Sequence, residues 1–442
     1  MPAMTWVPVS SSGSLHTRML GRLRWQRFVV TVALLLVVVL TVSASLASGG
    51  TAVRVVVDPV VSVEDEPLRI ALRGLASAQL VTVRVASVDA RGIPWVSSAT
   101  FRADRAGTVK VDRAAPVTGS YAGVWGMGLI AMMKATKPDP VGAYVWNGTH
   151  ALNFRVTVDS HGRQLASTTF RRRFSARPIR IEHEPLNRYG FYGEYWAPTV
   201  SGRHPAILAF GGSEGGNLGM FLVSGLLAAH GYPTLDIAYF KEPGLPQSLS
   251  NIPLEYFAKA LRWLRQQPHV DPTRIIALGV SRGSEAAQLL GVHYPDLVHA
   301  VIASVPANIA LCAYPGCGGP VWTLHGKPLP YTRQFNQPHP TDNPAAVIPV
   351  EHIRGPILLD CAGADAVWDS CAYANAIVRR LKAHNFRYPY VLNRSPQAGH
   401  LVGVLLPYEP DANGNDLETE AARERLWPHV LEFLTAFARA PR

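Results

Sequence analysis

From residue 51 to residue 184 apolar and polar positions alternate in short runs, as they do in strands that bury one face. The runs 69–73 and 80–85 are the clearest. Turn signals separate the runs at Asp89-Ala90-Arg91-Gly92, Asp104-Arg105-Ala106-Gly107 and Asp159-Ser160-His161-Gly162. Short strands at such spacing, with no helical period among them, predict an all-β, immunoglobulin-like sandwich over 51–184. Cysteine is absent from this stretch, so the sandwich lacks an inter-sheet disulfide.

After a linker expected at about 185–198 the texture changes. Apolar runs at 206–210, 234–239, 274–280, 301–305, 356–359 and 388–392 are continuous, as parallel strands covered on both faces require. Helix-length segments at 254–267, 282–293 and 371–384 lie between them, and 417–438 reads as a terminal helix. Strand and helix in alternation predict a doubly wound, mostly parallel sheet over 185–442.

A third texture occupies residues 1–50. The run 28–46 carries no charge and follows Arg18, Arg22, Arg24 and Arg27, with small residues at its exit. This reads as an export signal cleaved near Ala47. The run is also long enough for a signal-anchor with its positive arm inside. In both readings the body of the protein is exported, either membrane-anchored by 28–46 or secreted or periplasmic.

Composition adds little to this picture but excludes some classes. With 48% hydrophobic and 17% charged residues the chain is globular rather than disordered. Four of its eleven net positive charges are the leader arginines, and most of the rest are scattered. Solubility accounts for that excess, with attraction to an anionic substrate or membrane surface as the second reading. No nucleic-acid motif is present. The four cysteines fall in two close pairs, Cys312 with Cys317 and Cys361 with Cys371. Such pairs suit two local disulfides in an oxidising compartment, and no Cys-x-x-Cys or histidine cluster points to a metal.

The candidate chemistry centres on Gly279-Val280-Ser281-Arg282-Gly283, which follows an apolar run and opens a helical segment. A sharp strand-to-helix turn of this kind lifts the serine hydroxyl above a sheet, making Ser281 a candidate nucleophile. In hydrolases of this layout the acid and then the histidine follow the serine in chain order. His384 and His429 lie in helical segments, where packing explains them. His400 sits in a loop beyond the run 388–392, placed to take a proton from Ser281. For the acid, Asp365 lies on a loop just past a strand end, Asp360 lies within the preceding apolar run, and Asp369 with Ser370 looks like a helix cap. Asp365 is the better choice and Asp360 its rival.

Oxyanion donors are expected from the backbone N–H of Arg282 and from the loop Gly211-Gly212-Ser213-Glu214-Gly215-Gly216, with Ser213 ahead of Gly212. The Arg282 side chain is placed near the entrance. A phosphate cradle is the competing reading of the glycine loop, but the Gly-Lys-Ser/Thr ending is missing. Glu285 is accounted for by a favourable position near the positive end of its helix.

These residues, in this order, resemble the acyl-CoA thioesterase / bile acid-CoA:amino acid N-acyltransferase family. The likeness runs from Glu66-Pro67-Leu68-Arg69-Ile70, Gly92-Ile93-Pro94-Trp95-Val96-Ser97, Gly119-Ser120-Tyr121-Ala122-Gly123 and Met127-Gly128-Leu129 into the second half. There it includes the glycine loop, Gly279 to Glu285, Trp322-Thr323-Leu324-His325-Gly326-Lys327-Pro328-Leu329-Pro330, Asp365 with Trp368, and Gly399-His400. The resemblance implies a β-sandwich domain ahead of an α/β-hydrolase domain, with Ser281 as nucleophile, Asp365 as orienting acid and His400 as base. Serine at 281 is similar to the thioesterase members, so the implied substrate is an acyl thioester and no cofactor is implied. An envelope acyltransferase or a carboxylesterase acting on a non-CoA lipid is the alternative, and a catalytically silent, membrane-tethered binding protein is a further one.

Overall fold

Leu80–Val88 shows how the alternating pattern becomes structure. Its outward positions are exposed or half-buried, while Val81, Val83 and Val85 are fully buried. This strand pairs antiparallel with Pro94–Arg102 on one side and Leu152–Ser160 on the other, within a seven-stranded sheet that ends on Val61–Val63 and Thr118–Gly119. Arg54–Asp58, Arg69–Arg73 and Val109–Lys110 form a second, three-stranded sheet. Leu68, Ile70 and Leu72 share one apolar core with Val81, Val83, Trp95, Phe154 and Phe170. Regular structure before residue 179 is mainly strand among the described residues, interrupted by a 3-10 turn at Val111–Arg113 and a short helix at Gly128–Ala131.

The computed structural model describes residues 52–139, 142–410 and 416–441. The leader arginines, the run 28–46 and the cleavage position near Ala47 lie outside the described residues. Among the described residues no helix is long and apolar enough to cross a membrane.

The large sheet of the following region has eight strands: β1 (Ile179–Glu184), β2 (Tyr192–Pro198), β3 (His204–Phe210), β4 (Thr234–Ala238), β5 (Val270–Val280), β6 (Ala300–Ser304), β7 (Ile357–Ala362) and β8 (Tyr390–Ser395). Their order is β1-β2-β4-β3-β5-β6-β7-β8, with β1 and β2 antiparallel and every pairing from β4 through β3 to β8 parallel. Helices α1 (Leu218–Ala229), α2 (Leu254–Leu264), α3 (Arg282–His293), α4 (Ser370–Ala383) and α5 (Leu417–Arg439) flank it. Because both faces are covered, Ile207 and Ala209 of β3 enter one core while Ala206, Leu208 and Phe210 enter the other. This double burial produces the unbroken apolar runs seen in the sequence.

The linker expected at 185–198 is corrected here. β1 already belongs to the eight-stranded sheet and β2 takes the second half of the supposed linker, paired to β1 and β4. Its sequence, Tyr-Gly-Glu-Tyr-Trp-Ala-Pro, mixes polar and aromatic residues and so lacks the continuous apolar signature of the central strands. Thr51–Arg442 behaves as one compact unit. Asp65 of the first part accepts hydrogen bonds from Trp427 Nε1 at 2.8 Å and lies 2.5 Å from His230 Nε2. Trp146 Nε1 donates to Glu409 at 3.1 Å.

Candidate active site

Ser281 stands alone between β5 and α3 with φ 55° and ψ −122°, a conformation that L-residues avoid. Holding it costs on the order of 1–3 kcal/mol, so the surroundings must enforce it. Two glycines make the turn possible. A Cβ on Gly279 would stand 2.1 Å from the Gly283 carbonyl oxygen, and one on Gly283 would stand 2.3 Å from that of Gly211. The Ser281 N–H donates to Ser304 O at 3.0 Å, and Ser281 O accepts the Ser284 N–H at 2.9 Å.

His400 opens a short 3-10 turn (His400–Val404) beyond β8, and its Nε2 lies 2.9 Å from Ser281 Oγ. Its Nδ1 lies 2.9 Å from both carboxylate oxygens of Asp365. Burial pushes the Asp365 carboxyl up, but the His400 hydrogen bond and charge, with Ser370 and the Trp368 N–H, outweigh it and hold the group below the usual carboxylate range. An ionised carboxylate only accepts, so Nδ1 carries the proton and Nε2 is free to accept from the serine hydroxyl. Neighbours on both sides fix the imidazole. The Gly399 N–H donates to Thr419 Oγ1 at 2.9 Å, and Arg423 Nε donates to Leu401 O at 3.0 Å, both from α5. The Trp368 ring meets His400 edge-on at 5.5 Å.

The rival acid is engaged elsewhere. Asp360 Oδ1 accepts from Asn393 Nδ2 at 2.9 Å, and complete burial pushes this carboxyl up to about 7. A folded-state value raised above the ordinary 3.8 means that the native protein binds the proton more tightly than the unfolded chain. Stability contributed by Asp360 is therefore full at low pH and declines as pH rises from its ordinary value to its folded one. Asp360→Asn is expected to flatten that part of the stability–pH curve, read from urea midpoints at several pH values. Asp369 caps α4, its side chain accepting the Ala372 N–H at 2.8 Å, as its position suggests. His384 ends α4 beside Glu351, and His429 lies exposed on α5 beside Glu432.

The glycine loop lies against the nucleophile, since a Cβ on Gly212 would stand 2.8 Å from Ser281 Cβ. Tyr239 Oη donates to Gly211 O at 2.9 Å and to Gly212 O at 3.0 Å. In a trans peptide the N–H points opposite the carbonyl, so both following N–H groups face away from Tyr239. That of Gly212 is taken by Glu214 Oε1 at 2.7 Å. The Gly212 N–H is thereby committed to a carboxylate, which sets it apart from Ser213 and Arg282 among the three expected oxyanion donors.

Two expectations for the first turn of α3 need correction. The Arg282 side chain is buried, not at an entrance. Its Nη2 donates to Leu311 O at 3.1 Å and Cys312 O at 2.9 Å, and its Nε lies 2.7 Å from Glu285. Glu285 in turn accepts the Leu311 N–H at 3.1 Å and Trp322 Nε1 at 2.8 Å. Burial pushes the Glu285 carboxyl up against the pull of Arg282 and these donors. Helix-end electrostatics does not describe this carboxylate, which ties α3 to the segment running from Leu311 to Trp322. Glu285→Ala leaves Arg282 buried without its partner and is expected to lower stability by about 3–5 kcal/mol in denaturant titration.

Both expected disulfides are formed, Cys312–Cys317 and Cys361–Cys371. The first shares a residue with the carbonyls that hold Arg282. The second encloses Asp365.

Residues 65–183 match the family model described as acyl-CoA thioester hydrolase/BAAT N-terminal region. Residues 252–314 and 323–427 match that of the BAAT / acyl-CoA thioester hydrolase C terminal. Acyl-coenzyme A thioesterase 6 of Mus musculus is 31% identical over 364 residues, covering 78% of this chain and 84% of that one. The mitochondrial acyl-coenzyme A thioesterase 2 of Homo sapiens is 30% identical over 364 residues, covering 78% and 73%. Among solved structures, the α/β-hydrolase enzyme MGS-M1 from a deep-sea metagenome library is similar at 17% identity and a TM-score of 0.41, over 60% of this chain and all of that one.

Proposed function

This chain belongs to the acyl-CoA thioester hydrolase/BAAT family, and from that premise we propose that it is a serine thioesterase working through an acyl-enzyme. The observation that carries this reading is the continuous line Ser281 Oγ, His400 Nε2, His400 Nδ1, Asp365, with both links at 2.9 Å. Ser281 Oγ attacks the thioester carbonyl as His400 takes its proton. The tetrahedral oxyanion forms against the N–H groups of Ser213 and Arg282. Collapse expels the thiol, which receives the proton from His400. Water then enters and attacks the acyl carbonyl as it loses a proton to His400; the bond to Ser281 Oγ breaks, His400 returns the proton to Oγ, and the acyl group leaves as a carboxylic acid. Asp365 stays ionised throughout and stabilises the imidazolium. The first sheets are read as an immunoglobulin-like sandwich that buttresses the α/β-hydrolase domain through contacts such as those of Asp65 with His230 and Trp427.

The test is to mix the protein with a long-chain acyl-CoA, follow free thiol, and quench early turnovers for mass spectrometry. Thiol release with an acyl group on the Ser281 peptide is expected. Release without such an adduct, in a form of the enzyme whose deacylation has been slowed, removes the acyl-enzyme from the reading.

The two disulfides favour a second reading of the substrate, because such bridges persist outside the reducing cytosol. With the run 28–46 acting as export signal or anchor, the same site serves as an esterase or acyltransferase on a non-CoA lipid of the cell envelope. Turnover of a lipid ester at a higher kcat/KM than acyl-CoA decides for it, and transfer to an added amine or alcohol marks the transferase.

A further inference from the structure

The cysteines are not scattered. The Cys361–Cys371 bridge joins the end of β7 to the first turn of α4, ten residues on, and so closes the loop that carries Asp365 near its middle. Inside that loop the Asp365 carboxylate is buried, but Ala364, Ala366 and Val367 are exposed, so packing grips the loop mainly through Trp368. Hydrogen bonds stitch the loop's start to the chain approaching His400. Gly363 N–H donates to Ser395 O at 2.9 Å and Ala364 N–H to Ala398 O at 3.0 Å. At the loop's other end Ala362 N–H donates to Ser370 Oγ at 3.1 Å and Trp368 Nε1 to Val305 O at 3.1 Å. The disulfide is the covalent member of this set, and it removes the loop's freedom to lengthen or rotate about its ends.

We propose that the Cys361–Cys371 disulfide is a positioning device for Asp365, holding the carboxylate on His400 Nδ1 so that activity depends on the bridge being oxidised. This rests on the triad reading given above. Reduction by a dithiol transfers two electrons and two protons, giving two cysteine thiols and a closed disulfide of the reagent. The loop then keeps only its hydrogen bonds and its Trp368 contact. Displacement of a catalytic group by about an ångström costs on the order of 100-fold in rate.

The experiment compares the native chain with Cys361→Ser/Cys371→Ser on a short nitrophenyl ester. A fall in kcat of roughly 10- to 100-fold is expected, with KM changed by less than about twofold because the bridge is proposed to act through the acid alone. The same pair of substitutions is then made in Asp365→Asn. If the bridge acts through the acid, it costs nothing further there. An equal loss in both backgrounds means a merely structural bridge and overturns the proposal. Should the double variant fail to fold, dithiothreitol is applied to the folded native enzyme, alkylation and mass spectrometry report which bridge has opened, and kcat is followed as Cys361 and Cys371 become free. Undiminished Ser281-dependent turnover after that opening overturns the proposal while leaving the triad standing. Turnover that survives Ser281→Ala instead overturns the triad itself.

Discussion

Ser281→Ala is expected to abolish release of thiol from acyl-CoA and of nitrophenol from aryl esters alike, with kcat lowered by about 10⁶-fold. The loss is the same for both substrates because both need the one nucleophile, whatever group departs. The fold should survive. Ser281 Oγ is bonded to His400, but the turn itself is held by the Ser281 backbone and by the close packing of Gly279 and Gly283. Alanine also keeps the side chain small at a strained φ, so the circular dichroism spectrum and the denaturant midpoint should stay near the native values. A residual rate of roughly 10³- to 10⁴-fold over water is expected from the oxyanion donors and binding alone. Measured turnover within tenfold of the native enzyme would remove Ser281 from the mechanism.

Asp365→Asn comes next in size, with kcat expected to fall about 10⁴-fold. The asparagine is nearly isosteric and can still accept the N–H groups of Val367 and Trp368, which the native carboxylate accepts at 3.0 and 3.2 Å. What it changes is the tautomer. An amide turned to donate toward Nδ1 leaves the imidazole proton on Nε2, where it faces the serine oxygen rather than accepting from it. The imidazolium formed during attack also loses its counter-charge. The defect should appear in kcat with KM nearly unchanged, since Asp365 reaches the substrate only through His400. Asp360→Asn serves as the comparison, because its side chain is bonded to Asn393 and makes no contact with the histidine. Equal losses in the two variants would mean that the acid has been assigned to the wrong loop.

Much of this site is legible in the chain because its parts are local. The Gly-x-Ser-x-Gly turn is set by close backbone approach within five residues, and Gly279 against Gly283 shows that approach directly. The unbroken apolar runs announce strands covered on both sides, and the position of His400 beyond the last of them follows from chain order. The disulfides are short-range as well, with partners five and ten residues apart. β2 escaped notice because it pairs antiparallel near the sheet's edge and carries mixed residues. Arg282 and Glu285 were misread because a helix's first turn suggests solvent and a dipole, while their partners Leu311, Cys312 and Trp322 lie 26 to 37 residues away. The occupation of Gly212 by Glu214 is local in sequence but depends on Tyr239 turning the loop.

The sequence by itself determined the change of texture near residue 185, the nucleophilic turn and the family to which these motifs point. Periodicity, glycine sterics and residue order are properties of neighbours, and neighbours are written in the chain. Tertiary structure decided which carboxylate lies against His400, that the Gly212 N–H is taken by Glu214, and where the buried Arg282–Glu285 pair spends its hydrogen bonds. His400 and Ser281 are 119 residues apart, and their 2.9 Å contact exists only because parallel strands deliver both loops beyond the carboxyl ends of one sheet. Such partners are chosen by packing, which selects among several chemically suitable side chains by position rather than by type.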